Sequence, residues 1–119
     1  MGQLNGVDVA VTSTGIGGPS AAIAVEELYQ CGADTMMRVG TCASVSPKVS
    51  IGDIVIPNGA VKMEGVSHHY LPVEFPSVPD FQMLKAIEQA AINLGLPYDV
   101  GVTITKASFY TQTSPRQSL

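Results

Sequence analysis

The sequence predicts an α/β fold, and two patterns carry that expectation. Near the start, a valine-rich alternating run, a glycine loop, a helical repeat and a second apolar run follow one another over roughly 33 residues, the layout of a βαβ unit. In the second half a longer helical repeat again leads into a strand-like run.

In chain order, Val7-Asp8-Val9-Ala10-Val11 alternates and reads as a strand. The loop from Thr12 to Gly18 follows, and Pro19 sits at the first turn of a helix, where its missing N–H costs nothing. Ala21, Ala24, Val25 and Leu28 recur at helical spacing, and Gly32 is a stop. Thr35-Met36-Met37-Arg38-Val39 reads as the second strand, expected parallel to the first with a right-handed crossover. Val49 to Ile56 has the pattern of a turn at Gly52-Asp53 between short β segments. Residues 57–77, with Pro57, Pro72 and Pro76, read as an extended loop. Ser77 to Leu94 predicts a helix with Met83, Leu84, Ile87, Ala90, Ala91 and Leu94 on one face, ended by Gly95. Tyr98 to Thr105 is strand-like, and 108–119 is polar with no closing element.

The chain has 119 residues, suited to one domain spanning 1–119. Its net charge of −4 argues against a protein that coats nucleic acid or an anionic membrane. With 45% hydrophobic and 13% charged residues it is no disordered polymer. Cys31 and Cys42 make no disulfide framework, so a reduced, cytoplasmic setting is expected. Neither a signal peptide, a myristoylation signal nor a bilayer-spanning run is visible. So apolar a composition is unusual for a short monomer, and predicts either a subunit interface or a piece of a larger domain.

Gly15-Ile16-Gly17-Gly18, between strand and helix, can present backbone N–H groups to an anion or simply make a tight turn. Ser20 stands where a dinucleotide fingerprint needs its third glycine, and Arg38 replaces the acidic residue closing the second strand. No P-loop triplet is present. Arg38, inside an apolar strand, calls for a partner, which is either a structural carboxylate or a phosphate held bidentately. Thr41 adds a hydroxyl and an N–H at the same strand end, and this coincidence favours an anion site. His68-His69 are adjacent and face opposite ways in an extended segment, which disfavours a metal site. Cys42 lacks a paired base and reads as a small buried residue, and Ser20 lacks a nucleophile-elbow frame. Phe109-Tyr110 with Gln112 offers an aromatic face beside an amide, suited to a nucleobase, although a core aromatic is the commoner use.

Ser13-Thr14-Gly15-Ile16-Gly17-Gly18-Pro19-Ser20-Ala21-Ala22-Ile23-Ala24-Val25-Glu26-Glu27-Leu28 resembles the signature of the nucleoside phosphorylase family, which contains uridine phosphorylase and bacterial purine nucleoside phosphorylase. Arg38-Val39-Gly40-Thr41-Cys42-Ala43 resembles that family's phosphate-binding segment. Val73-Glu74-Phe75-Pro76-Ser77-Val78 and Ser108-Phe109-Tyr110 are similar to its uridine phosphorylase branch. The resemblance implies the central part of a phosphorylase-type mixed sheet flanked by helices. It implies cleavage of a nucleoside by inorganic phosphate to free base and ribose 1-phosphate, through an oxocarbenium-like sugar.

By resemblance, Arg38 binds phosphate and Thr41 bridges phosphate and ribose. The Cys42-Ala43 backbone lies near the base, Phe109 packs on it and Gln112 hydrogen-bonds it. Ile16 and Ser20 match positions that face a monovalent cation at a dimer interface in some members. Inorganic phosphate is then the co-substrate, no organic cofactor is expected, and a homo-oligomer of dimers assembling to a hexamer is implied.

Departures from the family pattern are equally specific. The resemblance covers the middle of the longer family chains. The Gly-and-Arg phosphate loop, the His lent by a neighbouring subunit, the Met-Glu segment for the ribose and the final helix have no counterparts here. Phe109-Tyr110 runs into Thr111-Gln112-Thr113-Ser114-Pro115-Arg116 instead of the uridine phosphorylase base motif, which leaves Arg116 a weak candidate and the base open. A partial phosphorylase chain is therefore expected. The rivals are a water-using nucleosidase of the same superfold, a non-catalytic remnant that pairs with other subunits, and a plain βαβ nucleotide-binding module.

Overall fold

The computed structural model describes residues 1–110. It divides into two compact units, Met1–Met37 and the part beginning at Arg38.

The first unit opens with a hairpin. Strand β1 (Gly2–Leu4) pairs antiparallel with β2 (Val7–Val9), Gly2 opposite Val9 and Leu4 opposite Val7. Asn5 and Gly6 make the turn with φ of 51° and 80°, the two positive values that a type I′ turn needs and that Asn-Gly supplies at low cost. Gln3 Nε2 donates to Asp8 Oδ1 at 2.8 Å across the pair. Helix α1 (Gly18–Gln30) starts with Pro19 in its first turn, and closes as Gly32 N–H and Ala33 N–H bond back to Tyr29 and Leu28. Ala21, Ala24 and Leu28 are half-buried, whereas Val25 is exposed.

This corrects the placement of the βαβ unit. Val7–Val9 pairs with its own upstream neighbours and stops two residues before the expected end at Val11. Residues 35–39 form no strand. A strand exists only where its N–H and C=O groups meet a neighbour. Local closure through Asn5-Gly6 gives Val7–Val9 that neighbour, while residues 35–39 find none among the described residues.

The parallel unit lies in the second half. Strand β3 (Ile54–Met63), helix α2 (Phe81–Asn93) and β4 (Tyr98–Lys106) form a βαβ arrangement, with β3 and β4 parallel from Ile54 opposite Tyr98 to Met63 opposite Lys106. The register slips between Pro57 and Gly59. That irregularity accommodates a proline inside a strand, since Pro57 has no N–H for the ladder. The expected loop over 57–77 is accordingly shorter: β3 runs through seven of those positions to Met63, and a 3₁₀ turn occupies Val66–His69.

Helix α2 begins four residues later than its periodicity predicts. Asp80 caps it, its Oδ1 accepting from Met83 N–H at 2.8 Å. Ser77 has another role, its carbonyl accepting from Ala60 N–H at 2.8 Å. The helix ends where Leu96 N–H bonds to the Ala91 carbonyl, as Gly95 predicts. Ile56 on β3 and Ala91 on α2 are the fully buried apolar residues described. Val61, Met63, Val102 and Ile104 on the parallel strands remain exposed, although parallel sheets ordinarily bury both faces. The mixed α/β class holds.

Candidate functional site

The glycine loop of the first unit is built around Ser20. Its Oγ, on the first turn of α1, donates to the Thr14 carbonyl and ties the loop to the helix. Gly15 N–H bonds to Ser13 Oγ at 3.1 Å. Gly15 has a φ of +66°, and a Cβ there would stand 2.7 Å from Ser20 Oγ, so only glycine fits the close approach. Ser20 is half-buried, whereas the side chain of Ile16 is exposed. Ser20 Oγ keeps acceptor capacity while it donates.

In the second unit, Arg38, Thr41, Cys42 and Ala43 lie on one exposed irregular stretch. Arg38 was expected inside an apolar strand. It is solvent-exposed instead, because residues 35–39 pair with nothing described. Its guanidinium folds back over Gly40: a Cβ added at Gly40 would sit 3.4 Å from Nη1 and 3.6 Å from Nη2. Among the described residues Arg38 forms no ion pair with a carboxylate, so its fork of donors is open to an anion. Gly40 lies within the Arg38–Ala43 segment and has no role in the sequence pattern. A Cβ there would touch the guanidinium at ordinary van der Waals distance, and a larger side chain would reach into its place.

Cys42 departs from its expected burial and is an exposed free thiol, as is Cys31. Phe109 is exposed and meets Tyr110 edge to face, ring centroids 5.1 Å apart. An exposed aromatic just beyond a strand is free to stack on a planar ligand. Gln112 and Arg116 lie outside the described residues. Among those described, no hydrogen bond or ring contact joins the 38–43 stretch to Phe109.

His68 and His69 lie in the 3₁₀ turn at Val66–His69. Glu64 starts that turn, its carboxylate accepting from Val66 N–H at 2.7 Å, from Ser67 N–H and from the Ser67 hydroxyl. The Ser67 hydroxyl bond leads the interactions that hold the Glu64 pKa below its ordinary value, with the two amide bonds and the charge of His68 adding to it against desolvation. Beside the turn is a pocket of about 310 Å³ whose lining includes Lys62, Ser67, Tyr70, Phe75, Ser77 and Val78. Periodicity holds no signal for it, because it is assembled from a strand, a turn and a loop. Among the described residues no helix is long and apolar enough to cross a membrane.

The phosphorylase superfamily profile matches residues 1–118. The chain belongs to the phosphorylase superfamily. Its similarity extends to named superfamily members. Over 109 residues, 92% of this chain and 39% of the relative, it is 49% identical to the uridine phosphorylase of Thermococcus kodakarensis. It is 48% identical to the uridine phosphorylase of Treponema pallidum over 96% of this chain and 44% of that protein. A guanosine phosphorylase of Halorubrum lacusprofundi is 42% identical over 92% of this chain and 45% of its own length. The chain thus spans about two-fifths of the length of the curated superfamily relatives it matches.

Proposed function

We propose that these residues belong to a nucleoside phosphorylase that cleaves uridine with inorganic phosphate to uracil and ribose 1-phosphate. The observation that carries the reading is 49% identity, over 92% of the chain, to a protein named uridine phosphorylase. The open guanidinium of Arg38 over Gly40 supports it chemically. A hydrolase needs no arginine for an anion.

In this reading Arg38 grips phosphate bidentately, and Thr41 contributes its hydroxyl to phosphate and ribose. One phosphate oxygen forms a bond to C1′ as the C1′–N1 bond breaks, and the electron pair of that bond leaves with the uracil, which takes a proton from water. Bond breaking runs ahead of bond formation, so positive charge develops on the sugar, and a phosphate fixed beneath it lowers the barrier. The Cys42-Ala43 backbone lies near the base, Phe109 packs on its face and Gln112 hydrogen-bonds its edge. Ile16 and Ser20 face a monovalent cation, with the Ser20 oxygen as a ligand. The 119 residues contribute to one phosphorylase-like domain within a cytoplasmic homo-oligomer, dimers assembling to a hexamer.

A second reading is favoured by the guanosine phosphorylase relative: the same phosphorolysis with a purine base. Products distinguish all cases. Phosphorus and proton NMR of the protein carrying these residues, given uridine or guanosine with phosphate, is expected to show ribose 1-phosphate appearing with uracil, and faster than with guanine. Faster guanine release supports the second reading. Free ribose in place of ribose 1-phosphate refutes both and makes the protein a nucleosidase.

A further inference from the structure

Lys62 lies near the end of β3 and is half-buried. Its ammonium donates to two backbone carbonyls far along the chain, that of Pro72 at 3.3 Å and that of Phe75 at 2.5 Å. Those carbonyls belong to one turn, closed by Phe75 N–H bonding to the Pro72 carbonyl at 3.0 Å. Two residues back on the same strand, Ala60 N–H bonds to the Ser77 carbonyl. Ala60 is also the register partner of Thr103 on β4, so Ser77 occupies the opposite edge of β3. The same segment contributes Leu71, Phe75, Pro76 and Ser77 to the wall of the 310 Å³ pocket that Lys62 also lines.

We propose that Lys62 is the clasp of a strap, residues 71–77, which guards the outer edge of β3 and closes one wall of the pocket. An unpaired strand edge invites association with other chains, and covering it with a loop is one protection against that. Among the described residues, the backbone bridge at Ala60 holds one point of that edge. The ammonium fixes a second point by satisfying two carbonyls at once, and charged donors make the stronger hydrogen bonds. Lys62 therefore acts as a positioning residue: with its charge gone the strap opens, the Ala60 edge is bared and the pocket loses that wall. This inference stands independently of the proposed phosphorolysis.

Amide hydrogen exchange on the full chain tests it. In Lys62→Met, which keeps the aliphatic stem and removes the donors, the Ala60 and Phe75 amides are expected to exchange about tenfold faster. The Ile54 amide, bonded to the Pro97 carbonyl, and the Leu84 amide, bonded to the Asp80 carbonyl, serve as controls and keep their rates. Lys62→Arg, which retains charged donors, is expected to exchange at close to the native rate at all four. Unchanged exchange at Ala60 and Phe75 in Lys62→Met overturns the proposal. So does equal acceleration at the controls, which would make Lys62 a general stabiliser, or an acceleration in Lys62→Arg as large as that in Lys62→Met.

Discussion

The Gly15 backbone passes so close to Ser20 that a Cβ would come within 2.7 Å of its hydroxyl oxygen. This contact holds the glycine loop against the first turn of α1, because the same hydroxyl donates to the Thr14 carbonyl. Gly15 also has a φ of +66°. Gly15→Ala therefore meets both a clash and a left-handed backbone, and is expected to destabilise the loop and helix start by about 1–3 kcal/mol. Amide exchange in 14–21 relative to the β3–β4 ladder measures it. Native protection in the variant would contradict this account of the loop.

Asp80 supplies the cap of α2. Asp80→Ala is expected to cost about 1 kcal/mol, and Asp80→Asn only a fraction of that, since asparagine also accepts at an N-cap. Urea denaturation followed by circular dichroism reports the difference. Equal losses in the two variants would show that the Met83 amide bond contributes little.

Glu64 gives the 3₁₀ turn a pH dependence with a definite sign. Its pKa in the fold lies below the ordinary value near 4.5, chiefly through the Ser67 hydroxyl. A depressed carboxylate pKa stabilises the fold fully above the unfolded value, and the contribution disappears as pH falls through the folded value. Amides of Val66 and Ser67 are expected to stay protected at pH 6 and to lose protection as pH drops below about 4.5, with Glu64→Gln abolishing the transition. A turn whose protection rises on acidification would contradict the assignment.

Gly40 separates stability from binding. The atoms that a Cβ at position 40 would meet are the far end of a flexible arginine, which moves at little cost. Gly40→Val, whose branches extend beyond the Cβ into the space of the guanidinium, is expected to change stability by less than about 0.5 kcal/mol, while displacing the guanidinium and weakening phosphate binding several-fold. Calorimetric phosphate titration beside a melting curve tests the split. Equal phosphate affinity in the variant would show that the position of Arg38 over Gly40 has no part in anion binding.

Punctuating residues made parts of the fold legible. Pro19 and Gly32 bracket α1, Gly95 ends α2, and the run from Tyr98 becomes β4 as its pattern suggests. Misplaced strands share one cause: strand character in a sequence says nothing about which backbone it will pair with. The valine alternation of Val7–Val9 suits a distant partner as well as a near one, and Asn5-Gly6 immediately upstream decides for the near one. Pro57 and Gly59 disguised β3 as loop because the slipped register that tolerates them is a property of the pair. At the candidate site, the residue types of Arg38 to Ala43 were readable, but exposure was not, since it depends on whether residues 35–39 join a sheet. Lys62 carried no signal, its two acceptors lying ten and thirteen positions away.

The proposed phosphorolysis requires Arg38 to hold the phosphate that attacks the sugar. The most direct measurement is the rate of uracil release from uridine against phosphate concentration, for the native protein carrying these residues and for Arg38→Ala. The expected result is a rate that vanishes without phosphate and saturates with it, and a loss of about 10²–10³-fold in kcat/KM for phosphate in the variant. Release that is indifferent to phosphate, or a variant as fast as the native protein, would contradict it.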